Sequence, residues 1–114
     1  MSPSFDVPVM TPKQLLLAAA DYMEKHGKAR GVFQNRRGAV CAVGALRMVT
    51  SGFAAYEPVV GLERSEYMRS CEVISQSLGD ATEGTNHGLR ITVWSDRVNK
   101  STVVSQFRVV AATL

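Results

Sequence analysis

The sequence GAVCAVGAL occupies residues 38–46 and decides how this chain folds. These nine successive residues carry no charge and no large polar side chain, so the segment is favourable only when it is buried on nearly every side. Such a segment lies at the centre of a domain, and the other elements pack around it. The run therefore predicts an architecture, but it does not indicate a reaction.

Apolar residues recur at helical spacing on both sides of this run, and the first such segment has signals at both ends. Thr11 and Gln14 match a capping box, and Pro12 suits the first helical position. Gly27 is a natural stop for this helix. The pattern therefore predicts a helix over Pro12–His26. Helical spacing predicts further helices over residues 40–51, 63–78 and 99–112.

Two segments between these helices follow other patterns. Residues 28–39 surround a turn-like sequence at 35–38, which predicts either a short β-hairpin or an irregular loop. A polar, glycine-rich loop is predicted over residues 79–90. The β-prone residues 89–94 alternate between apolar and polar, which predicts a short extended segment there.

We therefore predict a mainly α, single-domain bundle of about four helices around the buried central helix at 40–51. The domain spans residues 11–114, and residues 1–10 form a flexible lead. Gly44 inside the central helix costs about 1 kcal/mol relative to alanine. We interpret this glycine as the point of a close helix crossing.

Length and composition are those of one ordinary globular domain. The chain has 114 residues, of which 46% are hydrophobic and 20% are charged. No apolar run reaches the roughly 20 residues that span a bilayer. The first ten residues lack the basic and apolar regions of a secretory signal. These features predict a cytoplasmic protein that does not act in a membrane.

The two cysteines, Cys41 and Cys71, both stand in apolar surroundings at helical spacing. The simplest interpretation is two reduced, buried thiols that act as small hydrophobic residues. A disulfide and a reactive or metal-binding thiol are the alternatives. The sequence has no CxxC, no HxxxH and no cluster of cysteine and histidine. We therefore predict no metal site and no cofactor.

Charge is segregated along the chain. Residues 25–56 contain six basic residues and no acidic residue, whereas residues 57–83 are acidic on balance. Such segments can pair with each other in the fold, or the basic segment can contact an acidic partner or phosphate groups. The basic residues that fall between the first and central helices are the candidate partner-binding residues: Lys28, Arg30, Arg36 and Arg37.

Few residues could carry out a reaction. Cys41 at the start of an apolar helix, with His26, His87 and Asp96, forms the only conceivable nucleophile set. Such a thiol must be partly exposed and must have a base within reach. Trp94 is interpreted first as a core anchor. Asp96 is interpreted as a carboxylate that bonds backbone amides of the turn before the last helix.

The motifs Cys41-x-x-Gly44-Ala45-Leu46 and Trp94-Ser95-Asp96, followed by a capped final helix, resemble a family of small uncharacterised proteins from actinobacteria and their bacteriophages. Members of that family have a C-x-x-G-A-L helix in the middle and a W-N-D turn before the last helix. The resemblance covers roughly residues 11–112. It implies an architecture and an origin but no reaction, because the family has no assigned activity.

This chain departs from the family pattern at three places. It has Lys28-Ala29 where members often have Trp-Cys or Trp-Thr, and Ser95 replaces the asparagine of the turn. Residues 100–102 replace the acidic first turn of the last helix. A family site that used these positions would be lost in this chain.

Three functions follow as hypotheses. The leading one is a small, non-enzymatic module that binds a host or phage protein, because no catalytic constellation is evident. The basic residues 28–37 and the loop at 79–90 are its candidate contact surfaces. The second is nucleic-acid binding through the basic residues 28–37, although only Phe33 interleaves an aromatic ring among them. The third is an enzyme that depends on Cys41.

Overall fold

Five helices make up most of the residues that the computed structural model describes, which are 10–52, 64–79 and 85–114. These residues contain no β-sheet, so the prediction of a mainly α fold is confirmed, with five helices instead of about four. None of the helices in the described ranges is both long and apolar enough to cross a bilayer. In chain order the helices are α1 (Pro12–His26), α2 (Ala42–Ser51), α3 (Arg64–Ser77), α4 (His87–Arg97) and α5 (Lys100–Ala112).

Helix α1 begins and ends where the sequence predicts. The Gln14 amide donates to Thr11 Oγ1 at 3.2 Å, and the Thr11 amide donates to Gln14 Oε1 at 2.9 Å, which completes the capping box. Gly27 ends the helix with φ of 95°, a backbone conformation that residues with a Cβ rarely adopt. Both signals come from residues at the two ends of the helix, so the sequence alone predicts where the helix begins and ends.

The apolar run is buried from residue 39 to residue 46, but its helix starts later than predicted. The apolar side chains of residues 40–46 are at most 2% exposed. Helix α2 begins at Ala42 instead of residue 40. The reason is that Val40 forms isolated backbone bridges with Lys28 and Gln34, and Cys41 occupies the N-cap position. Helix α2 packs against α1, α3 and α4.

Helix α4 corrects the prediction for residues 89–94. These residues lie inside α4, which Asn86 caps by accepting a hydrogen bond from the Leu89 amide at 3.0 Å. Ile91 and Ser95 are fully buried one helical turn apart, so burial of one helix face overrides the β propensity of the segment. Residues 80–84 of the predicted loop lie outside the described residues.

The remaining helices agree with the predictions in their described parts. Asn99 caps α5 by accepting from the Thr102 amide at 2.9 Å, and α5 packs against α1 along its length. Arg108 joins the two helices by ion pairs with Asp21 and Glu24 at 3.0 and 2.8 Å. Residues 1–9 of the predicted lead at 1–10, and residue 63 at the start of the third predicted helix, lie outside the described residues.

Candidate functional site

The four predicted partner-binding residues lie on one segment between α1 and α2, residues 28–37, which we call the basic loop. Arg30, Arg36 and Arg37 are exposed, and Lys28 is half-buried. Within the described ranges, none of the four forms a salt bridge. Their charges are therefore available at the surface of the described structure.

The tip of the basic loop is a fixed turn rather than a hairpin. Asn35 Oδ1 accepts hydrogen bonds from the amides of Arg37 at 2.9 Å and Ala39 at 3.1 Å. The Gly38 amide donates to the Asn35 carbonyl oxygen at 3.1 Å. Because these bonds hold the backbone on both sides of Arg36, the two adjacent arginines stand on an ordered turn. The hairpin alternative is not confirmed: Gln34 and Val40 form one antiparallel bridge across the turn, and the described residues of the loop contain no strand.

Helix α4 holds the start of the basic loop. Asp96 Oδ1 accepts a hydrogen bond from the Gly31 amide at 3.0 Å, across 65 positions of sequence. The prediction that Asp96 bonds the turn before the last helix is therefore wrong. Beside it, the buried Ser95 Oγ accepts from the Ala42 amide at 3.1 Å and so satisfies the first amide of α2. One turn of α4 thus holds both the basic loop at Gly31 and the start of α2 at Ala42.

Gly44 lets the basic loop lie directly against α2. A Cβ atom at this position would stand 2.0 Å from the carbonyl oxygen of Phe33. That oxygen accepts a hydrogen bond from the Cys41 amide at 3.1 Å. The close approach predicted at Gly44 is therefore real, but its partner is the backbone of the loop and not another helix. Arg47 adds a cation–π contact, with its Cζ 5.3 Å from the centre of the Phe33 ring.

We expect Asp96→Ala to loosen the basic loop with little effect on the fold. The substitution removes a charge-assisted acceptor, which costs about 1 kcal/mol at a partly exposed site. The Gly31 amide should exchange its hydrogen about tenfold faster, as measured by NMR. Asp21→Ala removes a carboxylate between α1 and α5 and should leave Gly31 exchange unchanged. Equal Gly31 exchange in wild type and Asp96→Ala would show that this hydrogen bond does not hold the loop.

The structure does not assemble the predicted nucleophile set. Cys41 is 1% exposed, and its Sγ accepts from the Gly44 amide at 3.3 Å. Burial raises the pKa of Cys41, and the charge of Asp96 raises it further. His26 stacks on the Tyr22 ring at 4.2 Å, and His87 lines a cavity beside Cys71. Cys41 therefore acts as a buried N-cap for α2, which is a structural role.

The second thiol lies in a cavity of about 420 Å³ between α2, α3 and the start of α4. Burial raises the pKa of Cys71 to about 11 and also raises the pKa of Tyr67, which lies in side-chain hydrogen-bonding contact with it. Both groups therefore stay protonated at neutral pH. The two cysteines are free in the structure. In the described part of the chain, no group of three or more histidine, cysteine or acidic side chains could hold a metal ion.

Sequence reasoning missed Ser95 and the role of Asn35. Ser95 follows Ile91 by four residues, and this spacing would have placed it on a buried helix face if the segment had been identified as helical. Asn35 before two arginines and a glycine is a known turn former, and its side chain could have been predicted to hold the turn. Trp94 packs against the core as predicted and also lines a surface groove.

One family model matches nearly the whole chain. It covers residues 7–113 and is described as a family of unknown function, DUF6197. No curated protein and no solved structure matches the chain. These comparisons assign no reaction, ligand or partner, so the functional argument rests on the geometry of the basic loop.

Proposed function

Because this chain belongs to a family of unknown function, DUF6197, we propose from its geometry alone that it is a non-enzymatic protein-interaction module. The basic loop binds an acidic surface of a partner protein. The single observation that carries this proposal is that exposed arginines stand on a backbone fixed at both ends, with no salt bridge to the described parts of the same chain.

A fixed loop of this kind favours binding for an energetic reason. Ordering a loop at the moment of binding costs conformational free energy, whereas the bonds at Asn35 and Gly31 have already ordered this one. Arginine presents a planar guanidinium that pairs with a carboxylate through two hydrogen bonds. Complementary charge also raises the rate of encounter with an acidic partner. Arg36 and Arg37 at the turn are the residues we assign to first contact.

The proposal places the protein in the cytoplasm of an actinobacterium or of a phage-infected host, as the resemblance of its motifs suggests. A tagged full-length chain incubated with actinobacterial lysate provides the test, with bound proteins quantified by mass spectrometry. We expect Arg36→Glu with Arg37→Glu to reduce retention of a partner at least about tenfold, because two attractive charges become repulsive. Raising the salt concentration should also weaken retention, because the Debye length of about 10 Å at 0.1 M becomes shorter.

The matched control reverses two exposed charges elsewhere on the surface. Lys13→Glu with Lys100→Glu changes the net charge by the same amount and places glutamate in first helical turns, where it is favourable. This control should retain the partner. Retention that disappears after nuclease treatment would instead identify nucleic acid as the partner. Retention that is insensitive to the loop substitutions would refute the proposed function.

A further inference from the structure

Helix α4 exposes an apolar groove on the side that does not face the core. The groove has a volume of about 540 Å³, and we call it the α4 groove. Leu89 is 60% exposed and Val93 is 41% exposed, and both line it together with Trp94. Leu89 and Val93 are four residues apart and therefore lie one above the other on the helix. Two large exposed apolar side chains in one groove indicate a contact surface.

Among the described residues that line the α4 groove, the charged side chains are basic. Arg90 and Arg97 line it, and none of the described residues that line it is acidic. Arg90 is held in place because its Nε donates to the Ser75 carbonyl oxygen at 3.2 Å. Arg97 is exposed and forms no salt bridge within the described ranges. An occupant that complements this groove is apolar in the middle and acidic at its ends.

The α4 groove borders the basic loop. Asp96 binds the loop at Gly31, and the next residue along α4, Arg97, lines the groove. Arg30 is adjacent to Gly31 on the loop. The loop backbone beside Arg30 therefore lies against the last turn of α4, the turn that also carries Arg97.

We propose that the α4 groove binds an amphipathic helix of the same acidic partner, with two apolar residues one turn apart and Asp or Glu beyond them. This inference rests on the proposed function, since it names the segment of the partner that binds beside the loop. Leu89, Val93 and Arg97 span about 12 Å along α4, which is the length of about two turns of a partner helix. The apolar pair of that helix contacts Leu89 and Val93, and an acidic residue one turn away pairs with Arg97.

A second copy of this chain fits the groove less well than an acidic helix. In a two-fold symmetric dimer the same surface meets itself, so Arg90, Arg97 and their symmetry copies would share one interface in which no described lining residue is acidic. Like charges placed opposite each other across an interface are unfavourable. The charge of the groove therefore favours a different, acidic protein.

Trp94 makes the groove directly observable, because it is the only tryptophan in the chain and it lines the groove. The probe is a synthetic helical peptide of about 15 residues with two leucines four positions apart and glutamates one turn outside them on the same face. Its counterpart has lysines in place of the glutamates. Each peptide is titrated into the full chain while the fluorescence of Trp94 is recorded. We expect the acidic peptide to bind at least about tenfold more tightly than the basic peptide.

Val93→Glu should reduce binding of the acidic peptide at least about tenfold, because it places a negative charge among the apolar contacts. The matched control is Val109→Glu on α5, where the valine is 59% exposed and distant in sequence from the groove. This control should bind the peptide as the wild type does. Since both valines are exposed, neither substitution is expected to unfold the chain.

The outcomes separate this inference from the proposed function. Equal binding of both peptides, or no change in Trp94 fluorescence up to about 1 mM peptide, would overturn the groove assignment. If the groove assignment were overturned, loss of partner retention in the variant with Arg36→Glu and Arg37→Glu would still support the proposal that the basic loop binds a partner. Concentration-dependent self-association in sedimentation experiments that Val93→Glu abolishes would identify a second copy as the occupant and would also overturn the inference.

Discussion

Gly44→Ala is expected to destabilise the fold by about 3 kcal/mol, although alanine is normally the better helix former. A Cβ at residue 44 would stand 2.0 Å from the Phe33 carbonyl oxygen and 2.9 Å from its carbonyl carbon. These are backbone atoms, so no side-chain rotation can relieve the overlap. The loop must move away from α2, which breaks the hydrogen bond from the Cys41 amide to the Phe33 oxygen. Urea unfolding at 25 °C measures the loss.

Gly88→Ala is the matched control, since Gly88 also lies within a helix. A Cβ there would approach Asn86 Oδ1 at 3.7 Å, which is an ordinary contact. This variant should be as stable as the wild type or slightly more stable, because alanine reduces the entropy of the unfolded chain. The two substitutions therefore should change the free energy of unfolding in opposite directions. If Gly44→Ala were also stabilising, the described packing of the basic loop on α2 would be wrong.

Both thiols should react with iodoacetamide about 1,000-fold or more slowly in the folded protein than in the unfolded chain at pH 7.5. Cys41 is 1% exposed, so the reagent reaches it only after the structure opens. Cys71 is 3% exposed in the wall of the cavity beside His87, so it too offers almost no surface to the reagent. Burial also raises the pKa of both thiols, which lowers the fraction of reactive thiolate. Peptide-level mass spectrometry of the alkylated sites measures both rates.

Ser105→Cys provides the control, because this position is exposed on α5 and its thiol should react at the rate of an unfolded cysteine. A Cys41 that reacts as fast as this control would revive the hypothesis of a cysteine-dependent enzyme. Slow reaction of Cys41 until global unfolding would exclude it, since a catalytic thiol must be accessible in the native state.

The raised pKa values also determine how stability depends on pH. Above about pH 9 the unfolded chain loses the Cys71 proton, whereas the folded chain keeps it until about pH 11. The unfolded state then binds fewer protons than the folded state, so the free energy of unfolding falls as pH rises through this range. The stabilisation is complete below pH 9, and its loss should reach about 2 kcal/mol near pH 11. Tyr67, whose pKa is also raised, contributes with the same sign.

Helix α4 shows most clearly where prediction from sequence stopped. Its cap, Asn86, was available as a signal, but the β-prone residues that follow it favoured an extended segment. Burial of Ile91 and Ser95 against the core decides in favour of the helix. That burial depends on contacts with α2 and α3, whereas β propensity reflects only the residues of the segment itself. The prediction of an extended segment was wrong for this reason. Because that segment was not identified as a helix, the α4 groove could not be predicted either.

The sequence alone predicted the helices α1 and α5, the burial of the apolar run at 38–46 and the positive charge of residues 28–37. Caps join residues three positions apart, and helical periodicity repeats within a turn or two, so their physics is local. The sequence did not predict how the basic loop is arranged against α2 and α4. This arrangement depends on Asp96 binding Gly31 across 65 positions, on Ser95 binding Ala42 across 53, and on the contact of Gly44 with the Phe33 backbone. Such pairs form only after the helices have packed, because no local pattern specifies which distant backbone group a side chain will meet.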